Sequence, residues 1–367
     1  MTATEGMKRG KSGGFYDDHS EYQRDVAQSG AQLVADCVAA VPLPGPESTF
    51  VVADYGASTG RNSIGSTAHA VGAVRQRRAT QPVAVLHNDL TTNDWNELFH
   101  NLTTDPGSYL RLPDPPVLPL ASAVSFFEPA APTGSVHVGL SFSAAHWLRE
   151  QPAVVVPEGF YFCEATGDAR TALAQQADAD WTSFLAARAS DLAPGGRLLV
   201  QMVGTDPGTD GGEPHVTARR VLRAMAEVAA GMARDGLLDP PAVDRYLLGV
   251  YARTPAEARA PLERPGSPVE GAFDVEVCRT DPVANPYLTQ WQSDGDAQRY
   301  ARSATAFVRG FTESSLHDHL FAPGSRGETP EALADEFFAR LQRRFADDPE
   351  RDRFEDWTLT VVLTRRA

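Results

Sequence analysis

The stretch that decides the fold is Phe50-Val51-Val52-Ala53-Asp54-Tyr55-Gly56-Ala57-Ser58-Thr59-Gly60. Its apolar start ends at a glycine-containing turn, which is typical of a buried parallel strand. Gly56 allows a tight turn, and Gly60 lets the N-terminus of a following helix approach a ligand closely. The stretch therefore predicts the first strand–turn–helix unit of an α/β protein, with Asp54 at the end of the strand.

The spacing of this turn restricts the kind of ligand. It lacks the G-x-G-x-x-G spacing of dinucleotide-binding turns and the Lys-Ser/Thr of a P-loop. A carboxylate at the strand end suits a cationic or hydroxylated ligand better than a pyrophosphate. A methionine amine, a sulfonium and a ribose diol therefore fit better than NAD or ATP. Taken alone, the turn is explained equally well by a strand–turn–helix corner that binds nothing.

A second strand is predicted over residues 82–87, and Asn88 and Asp89 follow it. Because parallel strands end at the same edge of a sheet, Asp89 is well placed to accept hydrogen bonds from both ribose hydroxyls. The structural alternative is an Asx turn or a helix cap made by Asn88 or Asp89. Together with the turn after Asp54, this position favours nucleoside binding.

The rest of the pattern alternates between strands and helices, which predicts a parallel doubly wound sheet. Helices are predicted over residues 61–76, 92–102, 171–191, 216–238, 300–321 and 331–345, with Asn93 or Asp94 as a cap of the second. Further strands are predicted over residues 123–127, 135–143, 197–203, 273–278 and 357–364. We interpret the Pro-rich stretch between Pro106 and Pro129 as a surface loop, and residues 239–271 as broken by their six prolines.

Composition excludes several classes of function. The formal net charge is −15, and only short basic spots interrupt it, so neither nucleic acid nor an anionic membrane is an expected partner. The sequence has no apolar run of about 18 residues and no signal-peptide pattern, so we expect a cytoplasmic protein. The three cysteines are far apart. They suggest neither a disulfide framework nor a metal site, and we predict no metal.

Several collinear blocks match one known family. They are residues 16–24, 53–62, 87–96, 124–127 and 188–198. In the second block, Asp54, Gly56, Gly60 and Asn62 match the family's Ala-Asp-Leu-Gly-Cys-Ser-Ser-Gly-Pro-Asn, and in the third, His87-Asn88-Asp89-Leu90 stands for its Leu-Asn-Asp-Leu. By these blocks the chain resembles the SABATH family of methyltransferases, known for methyl esters of salicylate, benzoate, jasmonate and indole-3-acetate. We expect a bacterial member of that family.

The resemblance implies a Rossmann-like class I methyltransferase core, a mostly parallel seven-stranded sheet whose last strand is antiparallel, under a helical cap. It implies an N-terminal lid at residues 1–30 and a core at residues 31–204 and 272–367. A cap insertion would occupy residues 205–271, with further cap helices at about 285–345. The implied cofactor is S-adenosyl-L-methionine, the implied substrate is a small carboxylic acid, and the implied assembly is a homodimer.

Roles in cofactor binding follow position by position from the resemblance. Asp54 and Asn62 would hold the methionine end, and Asp89 would take the ribose hydroxyls. Leu90 and Phe126 would pack on the adenine, with Ser125 at its edge. The implied cofactor-binding residues are Lys8, Tyr16, Asp54, Gly56, Ser58, Asn62, Asp89, Leu90, Ser125, Phe126, Ser141 and Phe142.

The acceptor site is implied in the same way. Gln23 and Trp147, the predicted catalytic pair, would hold the acceptor carboxylate through an amide N–H and an indole N–H. Ser143 replaces a pocket tyrosine of the family, and His146 stands where a hydrophobic residue is usual. The predicted substrate-binding residues are Gln23, Ser143, His146, Trp147, Phe160, Phe162, Leu248, Tyr251 and Phe307.

A carboxylate acceptor makes the expected chemistry simple. With a pKa of about 4 it is ionised at pH 7, so no base is needed, and the enzyme must hold an oxygen about 3 Å from the methyl carbon, opposite the sulfur. Neutral donors orient the carboxylate and quench its nucleophilicity less than a buried arginine would. The alternatives are a relative that methylates another oxygen or a ring nitrogen, with His146 assisting, and a catalytically idle cofactor-binding protein. A nicotinamide-dependent oxidoreductase is disfavoured by the missing glycine spacing.

Overall fold

The structure, a computed structural model, describes residues 30–113, 115–157, 159–208 and 212–367. The strands are β1 (Phe50–Tyr55), β2 (Val83–Asp89), β3 (Leu118–Ala123), β4 (Val136–Phe142), β5 (Leu192–Val203), β6 (Thr205–Asp206), β7 (His215–Val216), β8 (Phe273–Val283) and β9 (Asp356–Arg365). Seven of them form one sheet in the order β3-β2-β1-β4-β5-β9-β8, and β6 pairs with β7.

Strand directions agree with the prediction. β1 runs parallel to β2 and β4, β2 to β3, and β4 to β5. β9 is antiparallel to both of its neighbours, β5 and β8. The predicted Rossmann-like sheet, mostly parallel with its last strand antiparallel, is therefore confirmed.

Helices cover both faces of the sheet. They are α1 (Ala31–Ala40), α2 (Ile64–Arg77), α3 (Trp95–Thr104), α4 (Gly167–Asp191), α5 (Arg219–Arg234), α6 (Pro240–Arg245), α7 (Pro255–Glu263), α8 (Pro286–Asp294), α9 (Ala297–Leu316), α10 (Ala322–Gly324) and α11 (Pro330–Asp347). Short 3-10 turns occur at Tyr109–Arg111 and Phe162–Glu164, and a π-helical turn at His317–Phe321 joins α9 to α10. No helix in the described part of the chain is both long and apolar enough to cross a membrane.

Two cores sandwich the sheet. Val52 of β1 packs into a core with α1, α2 and α3, and its neighbour Ala53 packs into a second core with α4 and α7. A strand that is covered on both faces needs apolar residues at successive positions, which is why β1 reads as an apolar run. A third core joins α5, α6, α9 and α11. The predicted division into lid, core and cap stays a prediction.

Two predictions for residues 106–129 are wrong. The strand predicted at residues 123–127 is wrong, because the strand is β3 and residues 124–127 turn back, with the N–H of Glu128 donating to the carbonyl of Ser125 at 2.9 Å. The loop predicted between Pro106 and Pro129 is wrong where it contains β3 and the turn at Tyr109–Arg111. Pro119 is tolerated because β3 lies at the edge of the sheet, where one side needs no N–H donor.

The prediction for residues 239–271 is also wrong, because two helices there begin at prolines. The stretch predicted as broken contains α6 and α7, and both begin with proline, which suits the first turn of a helix. Thr254 and Glu257 form a capping box at the start of α7. α8 lies in the region expected to hold further cap helices, about residues 285–345, although its own bounds were not predicted, and β8 is longer than expected. The predicted cap of α3 is confirmed, since Asp94 accepts a hydrogen bond from the N–H of Glu97 at 3.1 Å.

Candidate active site

The carboxyl ends of β1, β2 and β4 meet at one edge of the sheet. Asp54 on β1 is paired in register with His87 on β2 and with Leu140 on β4. The N–H of Ser58 donates to Oδ2 of Asp89 at 2.7 Å, which ties the turn after β1 to the end of β2. The structure thus brings to one edge the two aspartates that the sequence singled out.

Asp54 lies in a buried hydrogen-bond network. Its Oδ2 accepts from Oγ of Ser63 at 2.6 Å and lies 3.0 Å from Nδ1 of His87. Nε2 of His87 lies 3.0 Å from the hydroxyl of Tyr109. Among the described residues no hydrogen bond reaches Oδ1 of Asp54, so this oxygen is available to a ligand donor.

Asp89 binds backbone N–H groups through both carboxylate oxygens. Oδ1 accepts from Leu90 and Oδ2 from Ser58, each at 2.7 Å. Burial raises the pKa of Asp89 above its ordinary value, although these two N–H groups oppose the shift. Because each carboxylate oxygen can accept two hydrogen bonds, a pair of hydroxyls can still bind here.

The turn after β1 requires glycine at position 56. Gly56 has φ of +84°, and a Cβ on it would lie 2.3 Å from Cβ of Ala144, on the segment that follows β4. Ser58, two residues on, also has a positive φ, of 48°. The turn therefore packs directly against the segment that leads to Trp147.

We expect Gly56→Ala to lower the free energy of unfolding by about 2–4 kcal/mol, since it adds left-handed strain and an overpacked contact. Gly65 in α2 is the matched control, because a Cβ there meets nothing within 4 Å. Gly65→Ala should stabilise the protein by up to about 1 kcal/mol. Urea unfolding measures both variants, and equal stabilities would contradict this account of the turn.

Two predicted adenine neighbours lie in the turn after β3. Oγ of Ser125 accepts from the N–H of Phe127 at 3.3 Å. Phe126 meets Phe184 edge to face at 5.7 Å between ring centroids. Its Cε1 lies 3.8 Å from the point that a Cβ on Gly56 would occupy, so the ring is next to the turn after β1.

The remaining predicted cofactor residues also lie along this edge. Asn62 is half-buried in the turn before α2, and Leu90 is half-buried after Asp89. Ser141 is buried, and its Oγ donates to the carbonyl of Tyr55 at 2.9 Å. Phe142 ends β4 and packs against the core beneath α1, α2 and α3. Their roles toward the cofactor stay predictions, as do those of Lys8 and Tyr16, which lie outside the described residues.

Ser143 turns the chain from β4 toward Trp147. Its φ is +53°, and its N–H donates to the carbonyl of Gln201 on β5 at 2.9 Å. Trp147 forms an isolated antiparallel bridge with Val250. Its side chain is half-buried against the third core, and among the described residues its indole N–H has no hydrogen-bond partner. Gln23, the predicted second donor, lies outside the described residues.

His146 is a buried and neutral imidazole. Its exposed fraction is 6%, and among the described residues its Nδ1 has no hydrogen-bond partner. Burial, together with the positive charge of Arg253, lowers the pKa of His146 to about 3. Its ring lies 5.7 Å from that of Trp147, centroid to centroid.

Two predicted wall residues pack beside His146. The N–H of Tyr251 donates to the carbonyl of His146 at 2.9 Å. The rings of Phe162 and Tyr251 are buried, with centroids 4.2 Å apart. The hydroxyl of Tyr251 donates to Oε1 of Glu257 at 2.7 Å. The structure therefore brings these two residues close to His146, and their role toward the acceptor stays a prediction.

The other predicted wall residues are buried in the same core. The N–H of Leu248 donates to the carbonyl of Phe160 at 2.9 Å. Phe307 packs on Phe311 and Phe354, with ring centroids 5.4 and 5.0 Å away. The place of Phe307 in the wall stays a prediction.

Sequence reasoning missed several buried polar residues of this site. Ser63 and His87 contact Asp54, and Tyr109 contacts His87. Arg253 donates to the carbonyls of Ala145 at 3.0 Å and Ala177 at 2.7 Å. One signal for His87 was present, because it stands where the family block has leucine. Arg253 gave no such signal.

The strand order and directions decide the class of this protein, which has the Rossmann-like fold of class I methyltransferases. Its family follows from a comparison over the whole sequence. The family described as SAM dependent carboxyl methyltransferase matches residues 3–366, and the chain belongs to it. The resemblance to the SABATH family is thereby confirmed, and the chain is a methyltransferase that uses S-adenosylmethionine.

Relatives match over most of their length. O-methyltransferase acrG of Aspergillus aculeatus is 29% identical over 338 residues, which cover 86% of this chain and 85% of the relative. Gibberellic acid methyltransferase 2 of Arabidopsis thaliana is 25% identical over 365 residues, 94% of this chain and 89% of the relative. The solved structure of a loganic acid methyltransferase with SAH matches with a TM-score of 0.78 at 21% identity, over 98% of this chain and 99% of that one. This structural match supports the fold.

Proposed function

We propose that this chain methylates the carboxylate of a small organic acid to a methyl ester, with Trp147 and Gln23 holding that carboxylate. The observation that carries the proposal is the indole N–H of Trp147, which has no partner among the described residues and lies beside buried, neutral His146. A neutral donor in apolar surroundings can orient a carboxylate that must stay nucleophilic.

The residues at the carboxyl edge fit S-adenosylmethionine. Oδ1 of Asp54 can accept from its ammonium group, and Asp89 can accept from its ribose hydroxyls. Asn62 would assist at the methionine end, and Phe126 and Leu90 would pack on the adenine. The bound cofactor supplies an electrophilic methyl group on a sulfonium.

The charges near the acceptor site also favour a carboxylate that keeps its nucleophilicity. Arg170 lies over the ring of Phe162 at 4.7 Å and donates to the carbonyl of that residue at 3.1 Å. Arg253 is engaged by the backbone carbonyls of Ala145 and Ala177. Because Arg253 is buried and already donates to two backbone carbonyls, we expect neutral donors to orient the acceptor.

The size of the acceptor follows from Ser143. A serine where the family has a pocket tyrosine leaves room for an acid with a larger apolar body. The relative named for gibberellic acid and the structure named for loganic acid support such acids as first candidates. Homodimer formation, a cytoplasmic location and a bacterial source stay predictions, since the relatives named above come from a fungus and a plant.

Methyl transfer to a panel of acids tests the proposed function. The protein is incubated with S-adenosylmethionine labelled on the methyl group and with jasmonate-, gibberellin- and benzoate-type acids. Label in base-labile, extractable esters is the expected result. Label that enters only phenols or amines would overturn the proposal.

The alternative acceptor, a ring nitrogen deprotonated by His146, loses support from the structure. A group whose pKa is lowered to about 3 is a weak base at neutral pH. A rate that rises between pH 6 and 7 is therefore not expected from His146.

The same shift in pKa predicts how stability depends on pH. His146 titrates near 6.5 in the unfolded chain and at about 3 in the fold, so below pH 6.5 only the unfolded state takes up this proton. We expect this group to lower the free energy of unfolding by about 2 kcal/mol between pH 7 and pH 5. Urea unfolding at both values should show His146→Gln losing that part of the slope. His69→Gln, at an exposed histidine, should keep it, and an unchanged slope in His146→Gln would contradict the expectation.

A further inference from the structure

Three buried side chains behind the proposed cofactor site form one hydrogen-bonded row. The hydroxyl of Tyr109 lies 3.0 Å from Nε2 of His87, and Nδ1 of His87 lies 3.0 Å from Oδ2 of Asp54. The rings of His87 and Tyr109 are stacked, with centroids 5.9 Å apart and an interplanar angle of 17°. All three side chains are almost fully buried, so water does not compete for these hydrogen bonds.

The acceptor at one end sets the direction of the hydrogen bonds. An ionised carboxylate can only accept hydrogen bonds. Nδ1 of His87 is therefore the protonated nitrogen and donates to Asp54. In a neutral imidazole Nε2 is then the acceptor, and the Tyr109 hydroxyl donates a hydrogen bond to it. Burial raises the pKa of Tyr109, so the hydroxyl keeps its proton as a donor. Both donors of the row, Nδ1 of His87 and the hydroxyl of Tyr109, then have an acceptor.

The row controls which oxygen of Asp54 is available. His87 and Ser63 both donate to Oδ2, and among the described residues Oδ1 receives no hydrogen bond. The imidazole is fixed by its place on β2, directly opposite Asp54, and by its contact with Tyr109. Rotation of the carboxylate would break two hydrogen bonds at buried donors, which is costly.

We propose that His87, supported by Tyr109, is a positioning residue that holds the Asp54 carboxylate with Oδ1 presented to the amino group of the cofactor. This inference rests on the proposed role of Asp54 at the methionine end. The family block has leucine where this chain has His87, and leucine cannot donate to a carboxylate. The hydrogen bond from His87 to Asp54 therefore depends on a residue of this chain that the family block lacks.

The test compares two ligands that differ only at the methionine end. S-adenosylhomocysteine carries the amino acid, and 5′-methylthioadenosine lacks it. We expect His87→Leu to raise the Kd of S-adenosylhomocysteine about 10-fold to 100-fold, as for the loss of a hydrogen bond to a charged group. The Kd of 5′-methylthioadenosine should change less than about twofold. Titration calorimetry measures both ligands.

Two further variants separate positioning from damage to the fold. His87→Asn keeps an N–H near the place of Nδ1 and should recover most of the affinity for S-adenosylhomocysteine. Tyr109→Phe removes only the hydroxyl and should weaken the same ligand about 3-fold to 10-fold. Equal weakening of both ligands in His87→Leu, or no recovery in His87→Asn, would overturn the inference.

The variant Asp54→Ala distinguishes a failure of the role of His87 from a failure of the proposed role of Asp54. If Asp54→Ala leaves the affinity for S-adenosylhomocysteine unchanged, the placement of the methionine end is wrong. If Asp54→Ala weakens that ligand and His87→Leu does not, the cofactor site stands and only the role of His87 is refuted.

Discussion

Asp89→Ala is expected to raise the Kd of S-adenosylhomocysteine by about 100-fold to 10,000-fold. Two ribose hydroxyls would lose a charged acceptor, and each such hydrogen bond contributes about 1.5–3 kcal/mol. The variant would also release the N–H of Ser58, which donates to Oδ2 of Asp89 at 2.7 Å. The turn after β1 would then lose its tie to β2. Titration calorimetry, or the shift in melting temperature at saturating ligand, measures the loss.

Asp89→Asn should be nearly as harmful, although it preserves the shape of the side chain. Both carboxylate oxygens accept from backbone N–H groups, those of Leu90 and Ser58. An amide must therefore place its NH₂ group against one of these donors. Asp244→Asn, at an exposed position on α6, is the matched control and should bind as the wild type does. If Asp89→Asn binds within about threefold of wild type, Asp89 is not the ribose acceptor.

Strands that are covered on both faces could be predicted from the sequence. β1 and β2 read as apolar runs because successive residues enter different cores, as Val52 and Ala53 do. β3 could not be predicted in this way. It lies at the edge of the sheet, contains Pro119 and leaves Leu118 and Leu120 exposed, so no residue of this strand is buried and no apolar run marks it.

The cofactor half of the candidate site could be predicted from local sequence, whereas the acceptor half could not. Asp54 and Asp89 could be predicted because a residue at the end of a parallel strand lies at the ligand-binding edge. The acceptor half depends on contacts between distant segments, such as the N–H of Tyr251 donating to the carbonyl of His146. No local pattern encodes such a contact. The family resemblance supplied these residues, and the structure supplied the neutral state of His146.

Buried polar networks were the least predictable part. The sequence places His87 at the end of a predicted strand and at the start of a family block, and neither position predicts a polar role. In the structure His87 links Asp54 to Tyr109, which lies in a stretch predicted as a Pro-rich loop. The pairing of β1 with β2 puts His87 opposite Asp54, but only the fold of the 3-10 turn brings Tyr109 to the imidazole. The sequence signal for this network is a polar residue, His87, at a strand end where the family block has leucine.

Trp147→Phe is expected to lower kcat/KM for the acid substrate about 10-fold to 100-fold. Phenylalanine keeps an aromatic ring against the third core but removes the indole N–H, which no described residue uses. The loss corresponds to one hydrogen bond to a charged group, about 1.5–3 kcal/mol. Because this N–H is proposed to touch the acceptor and not the cofactor, the Kd of S-adenosylhomocysteine should stay within about twofold.

Trp291→Phe is the matched control for that substitution. Trp291 is also a half-buried tryptophan of the third core, and its ring packs on that of Tyr300 at 6.1 Å between centroids. Its substitution should leave kcat/KM nearly unchanged. An acceptor without a carboxylate offers a second comparison, since Trp147→Phe should then reduce the rate much less. If Trp147→Phe weakens the cofactor as much as it slows methyl transfer, the indole acts through the packing of the cap and not on the carboxylate.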